Sequence, residues 1–539
     1  MKKKEVTVTY SFLRRCALIY VTLPLLCFLA GWLKWYWMIL SCAALVVCLI
    51  FSEENMITNR FLKRNAEHPD DPKQAGNKIV ISKLTVSGIA LISCIYCIFC
   101  GVGRLWAQSD DYAYRNAIFR DIILRDWPVI YDRYDGALSY YIGLFLPPAV
   151  PGKLVYLLSG SAESAFIAGN IAILIYCTAG LTLLFLLLLL LFRTASPKLV
   201  ILVMIGLFLF SGMDIIGNGF QIRSLHLEWW AGFATYQYSS LTTCFCWVLN
   251  QTLIPWICTA LLLHEKSVSN YVLLGMSCLL SGPFPFVGFF IYCVALGIKC
   301  LVDRIRAGQG KGFIKEVFSV SNVCATLFVA PFICTYMTSN AFVSNSSAKD
   351  TITIMISPDI GSIIRYVSFL LIEFGIYALL IAKVNKKNYL FYITVLQLCV
   401  YPIFNIGVYS DFTMRSSIPA IFIMFVLCYQ FILNRASVTP PVIASETKRN
   451  KKEKQSRFND ILCTVLVCLL AVGAATPCVE LVRGCVQVKE RGINDPETDY
   501  LVTLNQDSNP FEDGSEWPMT SFVAVDLDDS FFYRYFARR

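Results

Sequence analysis

The chain has 539 residues, 56% hydrophobic and only 15% charged, with positive mean hydropathy. Apolar runs of about 18 or more residues recur along it, and about 20 residues at ~1.5 Å rise cross a hydrocarbon core of roughly 30 Å. A soluble domain is excluded; an all-α polytopic membrane protein is specified. The net charge of +9 gathers in a few loops, with no basic stretch interleaved with aromatics, so nucleic acid is not an expected partner.

The first stretch, "MKKKEVTVTYSFLRRCALIYVTLPLLCFLAGWLKWYW", has basic flanks but no small-residue cleavage site, so it reads as a retained span. Thirteen spans are predicted, over 16–33, 35–51, 84–102, 164–192, 199–213, 243–263, 268–281, 284–301, 317–336, 362–383, 388–408, 416–434 and 459–478. Loop 52–83 carries six Lys or Arg, loop 302–316 four and loop 435–458 seven, which puts these loops and the N-terminus in the cytoplasm. The tail 479–539, with twelve acidic and six basic residues, then lies outside. Three sections follow: an N-terminal hairpin with its basic loop (1–83), a transmembrane core (84–478) whose first outer loop is 103–163, and a short acidic tail (479–539). The tail is expected to pack on the outer face of the bundle. Pro147, Pro148 and Pro151 make 138–158 a re-entrant or surface-lying segment, because proline removes backbone donors. "SGPFPFVG" (281–288) is read as a turn between two spans. The 22 cysteines mostly lie singly in apolar runs, where Cys packs as a small hydrophobe.

One loop breaks the apolar pattern. "AQSDDYAYRNAIFRDIILRDWPVIYDRYDGALSYY" (107–141) puts six Asp and four Arg at the mouth of a hydrophobic helix. Ser109 is a candidate hydroxyl cap, and Asp110 and Asp111 suit the positive end of a helix dipole. Asp111/Arg115 and Asp121/Arg125 have the acid four residues before the base, the better order for helix support. Phe119, Ile122 and Ile123 offer an apolar side, and Trp127-Pro128 ends the segment. These features predict a surface helix over 110–126 near the outer interface, with Trp127 at the headgroup level. On this local reading the two acids cap a helix and do nothing more.

The order of residues suggests more. Adjacent acids after a span, an Arg-bearing helix, "DWPVIY", "YDG", paired tyrosines and a Pro-rich apolar stretch together resemble the first outer loop of the GT-C glycosyltransferases. That superfamily includes the protein O-mannosyltransferases and the aminoarabinose transferases of lipid A. The matching residues are Asp110, Asp111, Arg115, Asp126, Trp127, Pro128, Asp135, Gly136, Tyr140 and Tyr141. The motif is Asp-Asp where many relatives have Asp-Glu, and an extra hairpin (16–51) precedes the span that should come first.

The resemblance implies sugar transfer from a polyprenyl-phosphate carrier to a glycan, lipid or protein acceptor. Asp110 or Asp111 would be the base, and a cation would meet the lipid phosphate. Arg115, Arg415 and Lys153 are the candidates for that cation; a bound divalent metal is an open alternative. Arg415 opens a late span in "YSDFTMRSSIPAIFIMF" and has Asp411 one turn before it, so an ordinary ion pair is its simpler reading. In "RSLHLEWWAGFATYQYSS" (223–240), His226, Glu228, Trp229, Tyr236 and Tyr238 join Trp127, Asp135, Tyr140, Tyr141 and Asp411 as candidate pocket residues. An aromatic interface belt would explain the same aromatics. His226 and Glu228 at i, i+2 do not make a metal site by themselves.

Two other classes share this topology. A transporter or lipid-linked-sugar flippase predicts ionisable residues at mid-membrane, and Glu373 in "SFLLIEFGIY" is one. A polysaccharide polymerase or ligase would also use outer-loop arginines. A bacterial plasma membrane is the default placement.

Overall fold

The structure, a computed structural model, describes residues 5–52, 78–131, 136–222, 226–228, 236–340, 352–406, 410–436, 446–493 and 522–538. It is a predominantly helical, multi-pass membrane protein. Among the described residues, seven helices are long and apolar enough to cross a bilayer: Tyr10–Trp32, Ala162–Phe192, Pro197–Gly217, Pro283–Arg306, Gly310–Thr338, Ile360–Ala382 and Arg457–Arg491. An eighth is added if Leu241–Trp247 and Leu249–His264, interrupted at Val248, form one broken span. The other apolar runs fold as the shorter helices Trp35–Phe51, Lys83–Phe99, Tyr271–Ser281, Tyr389–Ile403 and Ile418–Asn434. The predicted runs are thus chiefly helical where described, although 388–408 also holds a short strand at Phe404–Ile406. The last five, at 10–17 residues, reach at most about 26 Å along their axes, short of a straight crossing.

Among the described residues seven short strands accompany the helices: β1 (Glu5–Thr9), β2 (Lys78–Ser82), β3 (Ile130–Tyr131), β4 (Gly136–Leu138), β5 (Ile352–Ile354), β6 (Phe404–Ile406) and β7 (Val523–Ala524). β1 and β2 pair antiparallel, and the residue ending each one caps the next helix. The Thr9 side chain accepts from Phe12 N–H, and that of Ser82 from Thr85 N–H.

The chain forms two compact units. One comprises Met1–Leu191, Cys246–Asp350 and Gly484–Arg539; the other, Phe192–Phe245 and Thr351–Arg483. The first is built around Phe28, Trp32, Tyr336 and Phe532, whose rings lie 4.7–5.9 Å apart in successive pairs. Helix Tyr112–Leu124 is part of this interior. The surface position expected for it is wrong, because Arg115, Ile118, Ile122 and Ile123 are all buried. Glycines make room for it: a Cβ at Gly152 would stand 3.1 Å from Ile123, and one at Gly169 would stand 3.2 Å from Phe119.

The proline-rich segment forms the helix Leu146–Ser159, whose 14 residues reach about 21 Å and cannot cross. Pro147 and Pro148 sit in its first turn, where the missing N–H groups have no partner to lose. Gly282 separates Tyr271–Ser281 from Pro283–Arg306, and Phe286 packs back to within 3.4 Å of a Cβ placed at Gly275. The two helices thus fold against one another. The tail does pack, through a few residues: β7 joins β4, and Tyr533 Oη donates to Leu138 O at 2.7 Å.

In the second unit, small residues again allow close approach. Gly206 lies against Tyr429, and Gly473 lies 2.8 Å, measured from a Cβ, from Ser211 O. Tyr377 Oη donates to the same Ser211 carbonyl at 3.0 Å. All the cysteines, Cys478 and Cys485 included, are free thiols.

Candidate functional site

Val248 leaves the helical region, at φ −131° and ψ 43°. A continuous helix would bond the carbonyls of Cys246 and Trp247 to N–H groups four residues on. Here Gln251 N–H turns back to Val248 O at 2.9 Å, and those carbonyls need other donors. The acidic loop supplies them. Ser109 Oγ reaches Cys246 O at 3.4 Å, and Arg115 Nη1 donates to Trp247 O. Ser109 is therefore not the expected helix cap; its hydroxyl serves the break.

The other guanidinium nitrogen of Arg115, Nη2, pairs with Asp111 Oδ2 at 2.8 Å. Asp111 holds the N-cap position of Tyr112–Leu124 but makes no capping bond with its side chain. The expectation that the acids merely cap thus fails for Asp111. Asp111 remains partly open, at 29% side-chain exposure against 4% for Arg115, and Asp110 beside it is exposed. Burial would weaken the hold of Arg115 on its proton, but Asp111 together with the nearby Tyr140, Tyr112 and Tyr141 outweighs burial and raises its affinity for it. The result is a fixed cation, one carboxylate tied to it, and a second facing out.

Gln108 and Asn116, which carry no sequence signal of their own, help position this loop. Asn116 Nδ2 donates to Gln108 Oε1 at 2.8 Å, and Gln108 Nε2 to Gly101 O at 2.9 Å. Asp121 accepts from Tyr131 Oη at 2.9 Å and lies 3.7 Å from Arg125. The Tyr140 and Tyr141 rings are 3.7 Å apart, and both phenols are close enough to act electrostatically on Arg115.

Other candidates in this unit prove to be supports. Trp127 Nε1 donates to Ile122 O at 2.7 Å, and its ring lies 5.2 Å from that of Trp32, so it packs within this unit. Lys153 Nζ donates to Arg125 O and lies 5.7 Å from the Trp127 ring. Burial eases proton loss from Lys153, against the pull of Asp126. Asp135 and Trp229 lie outside the described residues.

The remaining candidates belong to the second unit. Tyr236 and Tyr238 are buried at 3% each and bonded to the carbonyls of Met355 and Leu398, as core residues. Arg415 pairs with Asp411 at 2.9 Å, as the simpler reading expected. His226 and Glu228 enter a cluster whose other members gave no local signal. His226 Nε2 is 4.0 Å from Glu228, and its Nδ1 is 3.8 Å from Glu480, which holds Arg483 at 2.5 Å. Glu228 accepts from Ser239 Oγ at 2.5 Å, Gln237 Nε2 at 2.9 Å and Ser240 N at 2.9 Å. Burial pushes its carboxyl up. Burial alone would lower the His226 ring, but the neighbouring Glu480 and Glu228 carboxylates prevail and raise it.

Glu373 is buried in a π-helical turn, Leu371–Gly375, against Gly212. With Tyr238, Ser239 and Tyr377 it lines a cavity of about 10 Å³, room for one water. Among the described residues no three His, Cys, Asp or Glu side chains gather as a metal site.

No protein family, curated protein or solved structure matches the chain.

Proposed function

We propose that the chain is a GT-C-type membrane glycosyltransferase moving a sugar from a polyprenyl-phosphate carrier to a glycan, lipid or protein acceptor. In this reading it crosses a bacterial plasma membrane thirteen times, with its N-terminus inside and the acidic loop outside. The observation that carries it is the corner formed by Asp110, Asp111 and Arg115. One carboxylate is open, the next is tied to a buried guanidinium, and that guanidinium is bonded to the freed carbonyl of a broken apolar helix. Capping would not require this arrangement. A base that must meet a lipid-linked donor would.

The acceptor hydroxyl oxygen attacks the anomeric carbon while Asp110 or Asp111 takes its proton. The bond from that carbon to the carrier's phosphate oxygen breaks on the opposite face, inverting the sugar, and the electron pair leaves with the lipid phosphate. Arg115 still has N–H groups beyond the two already engaged, and these can meet the charge growing on that oxygen. Arg415 and Lys153 would have to exchange partners to do the same. The test is full-length protein in proteoliposomes with a panel of polyprenyl-phosphate sugars. Asp110→Asn and Asp111→Asn are expected to lower the transfer rate, by about 10²- to 10⁴-fold in whichever is the base. An unchanged rate in both removes the proposal.

Glu373 favours a second reading, proton-coupled transport. A buried acid in a π-helical turn inside an apolar helix, beside a one-water cavity, suits proton binding at membrane depth. That reading expects a pH gradient to drive substrate accumulation in vesicles and Glu373→Gln to abolish it. Transfer activity without accumulation decides against it.

A further inference from the structure

The turn at Leu33 and Lys34 ends Tyr10–Trp32, a helix long and apolar enough to cross a bilayer, and opens the apolar helix Trp35–Phe51. A crossing helix that turns back puts its turn at a membrane–water boundary. The last carbonyls of such a helix lack donors of their own. Here the C-terminal segment supplies one. Arg538 N–H donates to Trp32 O at 2.8 Å, Lys34 N–H donates to Phe536 O at 2.9 Å, and Leu33 pairs antiparallel with Ala537. The turn therefore holds residues 531–538 at that boundary.

This junction presents cations and rings together. Leu33 and Ala537 are buried, so the adjoining Lys34 and Arg538 turn outward, as alternation along an extended chain requires. Lys34 Nζ donates to Arg534 O at 3.2 Å, which brings the exposed Arg534 to the same corner. None of the three makes an ion pair among the described residues. The tail's acids Asp526, Asp528 and Asp529 come before this segment, and residues 531–538 hold two arginines and no acid. Beside the cations, Trp35, Tyr36, Phe531 and Tyr535 are 45–69% exposed. Rings this large are unfavourable in water, and Trp and Tyr settle at the level of lipid headgroups.

We propose that Lys34, Arg534 and Arg538 bind the phosphate of an acidic phospholipid, with the four rings set among the surrounding headgroups. Guanidinium groups meet phosphate oxygens in a matching fork, and the ammonium adds a point charge. The cations alone would fit any anion; the rings select one anchored in a bilayer. A soluble acidic partner would satisfy the charges and leave the rings in water. The inference does not depend on the transferase reading.

The test measures lipid retention by the full-length protein in native mass spectrometry, with phosphatidylglycerol and phosphatidylcholine as probes. Wild type is expected to retain phosphatidylglycerol in preference. Lys34→Gln, Arg534→Gln and Arg538→Gln are each expected to weaken that binding about fivefold and the triple variant about a hundredfold, with phosphatidylcholine unchanged. Lys34→Arg combined with Arg534→Lys and Arg538→Lys keeps the charges and should keep the preference. Thermal unfolding in nanodiscs separates a structural role. The Gln variants should match wild type in phosphatidylcholine and fall below it only where phosphatidylglycerol is present. Equal destabilisation in both lipids assigns the cations to the carbonyl end of Tyr10–Trp32 and overturns the proposal. So does a wild type with no preference for phosphatidylglycerol, or a triple Gln variant that retains as much of it as wild type.

Discussion

Asp111–Arg115 in the first unit and Asp411–Arg415 in the second are the same local device. Each is an Asp at the start of a helix with an Arg four residues on, closed at 2.8 and 2.9 Å, with the guanidinium buried. Their surroundings differ. Asp111 follows an exposed second acid, and Arg115 spends its other nitrogen on the carbonyl released at a helix break. Asp411 opens a six-residue helix, Asp411–Ser416, that leads into an apolar one. The pair alone therefore says little about chemistry; the open neighbour and the irregular backbone distinguish the two corners.

Substitution at Asp110 breaks this comparison most severely. It is exposed and makes no ion pair among the described residues, so Asn there should leave stability within about 0.5 kcal/mol while removing catalysis if it is the base. Asp411→Asn should spare transfer, because among the described residues no exposed second acid stands beside that pair. A proteoliposome transfer assay run on both variants reads the contrast.

Next in size is the Arg415 pair itself. Arg415→Met removes the ion pair from Asp411, whose side chain keeps 15% exposure, and is expected to cost about 1–3 kcal/mol in thermal or denaturant unfolding. Replacing both residues, as Asp411→Leu with Arg415→Met, should recover most of that loss. A double variant no more stable than the single would mean that Arg415 has another essential contact.

The smallest effect concerns pH. The His226 ring in the folded chain holds its proton above the ordinary histidine value of about 6.5. Its contribution is complete below that value and fades as pH rises through the higher folded value. Wild type should therefore unfold more easily as pH climbs from near 6 into the alkaline range, and His226→Gln should flatten that part of the profile. An unaltered profile would show that Glu480 and Glu228 do not favour the charged ring.

Much of the helical layout was legible, because an apolar run needs no partner information to be read as helix. The thirteen runs fold chiefly that way, with the strand Phe404–Ile406 inside 388–408, yet hydropathy did not set helix lengths: Tyr271–Ser281 is shorter than the run expected over 268–281. Asp111 with Arg115 was legible from spacing. Burial of their helix was not, because Asp121 and Arg115 look like solvent-facing charges until Tyr131 and Trp247 O are seen to receive them. His226 with Glu480 joins residues far apart in the chain, which no local pattern encodes.

The pairing of β7 with β4 has a consequence for how the molecule is made. Leu138 takes a hydrogen bond from Tyr533, 395 residues later, and Ala137 and Leu138 wait for Ala524 and Val523 to complete their sheet. During translation the segment beside the paired tyrosines stays an unfinished edge while nearly every apolar helix is delivered to the bilayer. A nascent chain stalled before Phe522 could be fully inserted and still lack that finished sheet, so insertion and maturation of this corner are separate events in time.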